Sequence, residues 1–140
     1  MKHIAPLLVL FSLIAPAPAH GHDEDHPELN GWYAALTQPN NPSASCCGAA
    51  DAYWCDILET SAVGDEVKNF CYITDDRKVP GRPHIDVGTK IEIPNDKIKW
   101  GPNDSQTNSP VPIERNPTPH NIVFLSRGLW VYCFVQGAGV

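Results

Sequence analysis

The sequence predicts a mostly β fold: a small antiparallel β domain, or a barrel, of about five strands, with one short N-terminal helix and a disulfide brace. Three observations carry this. Apolar and polar residues alternate over 52–60, 67–74, 89–93 and 97–100, and two β-rich runs, 121–125 and 129–135, close the chain. Glycine, proline and asparagine cluster between these runs, where strands turn. Five cysteines follow a segment that reads as an export signal, and export takes thiols to compartments where disulfides persist.

Residues 1–19 read as a secretory signal peptide. Lys2 supplies the positive end, 4–14 the apolar run, and Ala17-Pro18-Ala19 the small residues of a cleavage site. Cleavage after Ala19 leaves His20 at the mature start and about 120 residues, one domain's worth. The apolar run is too short to span a bilayer, and no later segment is long or apolar enough to do so. The chain carries 10 Lys and Arg against 16 Asp and Glu, a formal charge of −6. Its basic residues are scattered. Nucleic acid and anionic lipid surfaces both select clustered Lys and Arg, so neither is an expected partner.

The tract 20–26, His-Gly-His-Asp-Glu-Asp-His, has nothing apolar to bury and is expected to be a mobile tail. A short helix is predicted over 27–36. Pro27 suits the first turn, Glu28 complements the dipole, and Leu29, Trp32, Tyr33 and Leu36 form one apolar stripe. Residues 38–43 then read as a loop. A hairpin follows. A three-residue loop Ala62-Val63-Gly64, with Gly64 in the left-handed position, sets Cys55 directly across from Cys71. Cross-strand neighbours lie within disulfide reach, so a Cys55–Cys71 bond is expected. Residues 75–86 form a loop. Asn95 lies in a turn between two short strands. The stretch 101–119 holds five prolines and no aromatic residue, a segment length that is usually functional or disordered. The run 129–135 is apolar on both faces and is expected to be central.

Ser45-Cys46-Cys47, Lys97-Ile98-Lys99-Trp100, Asn116-Pro117-Thr118-Pro119-His120 and Tyr132-Cys133-Phe134-Val135 resemble motifs of a group of small exported alphaproteobacterial proteins. Those proteins also carry a secretion signal, a Ser-Cys-Cys, an Asn-Pro-Thr and a terminal Cys-Phe-Val. The resemblance spans most of the mature chain. It implies a periplasmic or secreted bacterial protein and assigns no activity. Cys55 and Cys71 lie outside the shared pattern, as an added brace.

Adjacent cysteines rarely bond to each other, and in an extended segment they point to opposite faces. One of Cys46 and Cys47 can then reach Cys133. The expectation is Cys47–Cys133, with Cys46 as the free thiol, and a free thiol admits a disulfide-linked dimer beside a monomer. There is no Cys-x-x-Cys, serine elbow, phosphate cradle or zinc-protease motif. The protein is therefore expected to be non-enzymatic. The sharper signal is the mature terminus His20-Gly21-His22. A free amine, two deprotonated backbone nitrogens and the third residue's imidazole make a square-planar N₄ set suited to Cu(II) or Ni(II). His26, His84 and His120 are further candidate ligands. A terminal histidine joined by His84 or His120 is the arrangement a copper-dependent oxidase would need. The alternative is a metal-free module that binds an envelope protein through its β surface or proline-rich loop.

Overall fold

The computed structural model describes residues 23–99 and 116–137. The expected signal peptide, His20, Gly21, His22 and the 101–115 part of the proline-rich stretch lie outside the described residues.

The predicted helix is present in two pieces. Pro27–Leu29 makes a single 3-10 turn, and α1 spans Asn30–Ala35. It seals the core with Tyr33 and with Leu36 at its C-terminal cap, both essentially inaccessible. Past α1, the expected loop over 38–43 is instead a tight hairpin of β1 (Thr37–Gln38) and β2 (Asn41–Ser45). Pro39 and Asn40 make its turn, and the Gln38 side chain donates to the Ser45 carbonyl at 3.2 Å. Proline within β2 is tolerated because that strand pairs on one side only.

The larger sheet is built from β3 (Asp51–Trp54), β7 (Ile98–Lys99), β8 (Ile122–Leu125) and β9 (Val131–Val135), in the order β3-β8-β9-β7. β9 lies inside the sheet, as its two apolar faces predict. The other sheet is β4 (Ile57–Val63), β5 (Glu66–Tyr72) and β6 (Lys90–Ile93), paired in chain order. The class is mainly β, but among the described residues the strands form three separate sheets and close no barrel. The fold is also not wholly antiparallel, since β7 runs parallel to β9. Among the described residues there are nine short strands rather than about five: the predicted 52–60 run splits into β3 and β4 where the chain changes sheet, and β1 and β2 occupy the expected loop.

The clearest break falls at Cys55-Asp56, between β3 and β4. The Cys55 amide donates to the Asn121 carbonyl, on the β8 side. The Asp56 carboxylate accepts from the Asn121 amide at 2.8 Å and from Thr74 Oγ1 at 2.9 Å. A side chain thus takes the place of a ladder partner, and the strand ends. The Cys55–Cys71 disulfide is present, but the predicted register is not. Val63 pairs with Glu66 and Leu58 with Cys71. The loop has two residues, Gly64-Asp65, with Gly64 at φ +64°, a glycine-first turn whose twist suits a hairpin. Cys55 therefore bonds from the sheet junction, and the bridge ties one sheet to the other.

The second disulfide joins Cys46 to Cys133, correcting the expected Cys47–Cys133 pairing, and Cys47 is the free thiol. The reason is local. The Cys46 amide donates to the Leu36 carbonyl, which holds residue 46 beneath α1. Ser45 Oγ then accepts from the Cys47 amide and turns the chain away. Two core clusters result. Cys55 and Cys71 lie in one with Tyr53, Ile73, Ile91 and Val123, while Cys46 and Cys133 lie in the other with Tyr33, Leu36, Ile122 and Phe124. No helix among the described residues is long and apolar enough to cross a membrane.

Candidate functional site

Two turns deliver the charged groups of the most densely bonded region. Asp75 Oδ1 accepts from the Arg77 amide at 3.0 Å, an Asx turn that folds Arg77 back over its own loop. Val79-Pro80-Gly81-Arg82 is a β-turn closed by the Arg82 amide on the Val79 carbonyl, with Gly81 at φ +78°, as a proline-glycine turn of type II requires. Asp75, its side chain fully buried, receives Arg77 Nε at 2.9 Å, Arg77 Nη2 at 2.8 Å and Arg82 Nη1 at 2.7 Å. Arg82 also donates to the carbonyls of Ala52 and Arg77, and its guanidinium lies over the Tyr53 ring. Burial alone would push the Asp75 carboxyl up. The hydrogen bonds and charges of Arg77 and Arg82 overcome this and hold it well below the usual carboxylate range.

The N-terminal tract is tied to the domain at Asp23, while residues 24–26 are exposed. Asp23 is buried, and its Oδ2 lies 3.2 Å from Arg77 Nη1. Asp23 alone departs from the expected mobile tail. The acidic run of the sequence holds an internal partner of Arg77.

Arg77 in turn lies 3.8 Å over the Trp54 ring, on which His120 also stacks at 3.8 Å and 11°. The Asn-Pro-Thr motif fixes this histidine. Asn116 Oδ1 accepts from the amide and hydroxyl of Thr118, and Asn116 Nδ2 donates to the His120 carbonyl at 2.8 Å. His120 Nδ1 faces Asp56 Oδ2 at 2.8 Å. In the neutral tautomer that donates from Nδ1 to the carboxylate, Nε2 is the ring's acceptor. His84 is different: it is exposed and meets only Asp86, at 3.1 Å. His26 is exposed beside Glu28. The three histidines are not brought together. Among the described residues, no group of three or more His, Cys, Asp or Glu side chains converges as a metal cage. His84 does border a cleft of about 120 Å³ lined by Tyr53, Asp75, Arg77, Lys78 and Arg82. The two guanidinium groups there already meet Asp75, Arg77 through Nε and Nη2 and Arg82 through Nη1.

Cys47 is not poised for redox or metal chemistry. Its thiol donates to the Tyr33 carbonyl, and burial pushes its pKa up to about 12 despite a hydrogen bond with Ser45. Only a vanishing fraction is thiolate at neutral pH. Iodoacetamide is expected to label the native protein slowly and the urea-unfolded protein at the rate of an ordinary thiol. Rapid native labelling would contradict this placement.

No protein-family model, curated protein or solved structure matches the chain. Sequence reasoning missed four members of this region, Trp54, Asp56, Arg77 and Arg82. Asp56 and Trp54 carry no local signal, since their partners lie far away in sequence. The arginine pair did leave one, in the Asp-x-Arg and Pro-Gly-Arg turns.

Proposed function

We propose that this is an exported periplasmic protein, non-enzymatic, that binds Cu(II) or Ni(II) at its mature N-terminus through His20, Gly21 and His22. The observation that carries the reading is the position of this tripeptide directly ahead of Asp23, which is buried and ion-paired to Arg77. Asp23 thus ties the chain to the domain at the residue that follows the tripeptide. Glu24 and Asp25 add negative charge beside it. Two disulfides are compatible with the oxidising compartment that this requires.

The test is a Cu(II) titration of protein recovered from the periplasm. A stoichiometric violet-pink d–d band is expected, lost in His22→Ala and retained in His84→Ala. A mature start other than His20, or a band unchanged in His22→Ala, overturns the chelate. His120→Ala addresses the oxidase variant of the reading. A band shifted by that substitution would bring His120, held by Asp56 through Nδ1, into the coordination sphere.

A second reading is an envelope interaction module with no metal. It is favoured by the exposed apolar side chains of the β4–β5 hairpin, Ile57, Leu58, Val63 and Val67.

A further inference from the structure

β4 is an edge strand that lacks the usual protection. It hydrogen-bonds to β5 on one side, and among the described residues nothing pairs with its other side. Natural edges are commonly blunted by lysine, proline, a bulge or short length. β4 has none of these, and its one charged residue, Glu59, is paired within its own sheet to Lys90 and the Tyr72 hydroxyl. Its residues are Ile-Leu-Glu-Thr-Ser-Ala-Val, and its pairing with β5 is unbroken over all seven. The other edge of the same sheet, β6, is four residues long and exposes Lys90 and Glu92. Ile57, Leu58 and Val63 are 60%, 45% and 53% exposed.

The hairpin turn sets which backbone groups face outward. A two-residue loop makes Val63 and Glu66 exchange hydrogen bonds. By alternation, so do Ser61 with Lys68, Glu59 with Phe70 and Ile57 with Tyr72. The amides and carbonyls of Leu58, Thr60 and Ala62 therefore point away from β5.

Those three groups are self-complementary. Laid antiparallel on a second copy about Thr60, the strand sets Thr60 against Thr60, Leu58 against Ala62, Ile57 against Val63 and Glu59 against Ser61. Every outward group finds its mate and no like charges face each other. A two-fold axis at Glu59 would instead oppose two carboxylates, which is destabilising. Axes at Leu58 or Ala62 run part of the strand past its partner's end. Glu59 is moreover already paired within its own chain, to Lys90 at 2.7 Å and to the Tyr72 hydroxyl.

We propose that β4 is the interface between two copies of this chain, paired antiparallel about Thr60, joining two three-stranded sheets into one of six strands. The occupant is a second copy because the strand's own sequence supplies the complementary pattern. The pairing is isologous and closed. It needs neither the terminal chelate nor a bond through Cys47.

Sedimentation equilibrium of the exported protein, with thiols blocked, tests this by charge exchange at the axis. The wild type is expected at twice the chain mass. Thr60→Lys and Thr60→Glu should each halve that mass, because like charges then meet across the axis. An equimolar mixture of the two variants should restore the dimer, since lysine then faces glutamate. Thr60 is exposed and bonds only to Asn69 Oδ1 at 3.1 Å, and circular dichroism checks that each variant stays folded. A monomeric wild type at sub-millimolar concentration, folded variants that both remain dimers, or a mixture that stays monomeric overturns the proposal.

Discussion

Replacing Cys46 and Cys133 together with alanine is expected to lower unfolding stability by roughly 4–5 kcal/mol on the chain-entropy account. The bond spans 87 residues of sequence, so cutting it frees a large part of the unfolded chain. Both sulfurs are also inaccessible, packed beneath α1 with Tyr33 and Phe124, so contacts are lost as well. Small domains are stable by only about 5–15 kcal/mol, and the variant should lie near the edge of folding. Cys55→Ala with Cys71→Ala opens a separation of 16 residues and should cost less, about 3 kcal/mol. Urea melts order the three proteins. Cys47→Ala is the informative control. It should leave both disulfides intact and the midpoint almost unchanged, whereas Cys46→Ala should abolish the long bridge. A large loss in Cys47→Ala, with a small one in Cys46→Ala, would reverse the assignment.

The second large effect is expected at Asp75. Asp75→Asn removes the charge that two buried guanidinium groups share, leaving Arg77 with Asp23 and Arg82 with carbonyls. Breaking one partner out of a buried ionic network typically costs about 3–5 kcal/mol. The same carboxyl makes stability depend on pH. Its folded-state pKa is depressed below the unfolded value, so its contribution is complete above the unfolded carboxylate range, about 4. That contribution is lost as pH falls from there toward the lower folded value. The wild type should therefore weaken steeply below about pH 4, while Asp75→Asn, already weakened at neutral pH, should show a shallower acid limb. Parallel acid limbs in the two proteins would show that Asp75 is not the group responsible.

Both effects depend on features unequally legible in the sequence. Alternation gave the mainly β class and the approximate position of most strands, because pleat and burial act on every second residue, and the lack of alternation over 129–135, apolar on both faces, gave the interior place of β9. It could not place the sheet change at Cys55-Asp56. That break depends on Asp56 meeting Asn121 and Thr74, residues distant in sequence. Cys55–Cys71 was found through a register that the two-residue turn displaces, so the bond formed without the strand pairing expected to bring it about. The choice between Cys46 and Cys47 rested on the phase of β2, which is fixed only when Ser45 folds back on Cys47 and Leu36 captures Cys46. The short β1–β2 hairpin was hidden because prolines mark loops more often than edge strands. Asp23 read as part of a solvated acidic tail, and only its meeting with Arg77 makes it an anchor.

The measurement that tests the account most directly is the intact mass of the protein recovered after export, with and without reduction. The protein is expected to begin at His20, lighter by two hydrogens for each of two disulfides and carrying one alkylatable cysteine after unfolding. A full-length, fully reduced chain as the accumulated form would contradict this, removing the brace and the terminal chelate together.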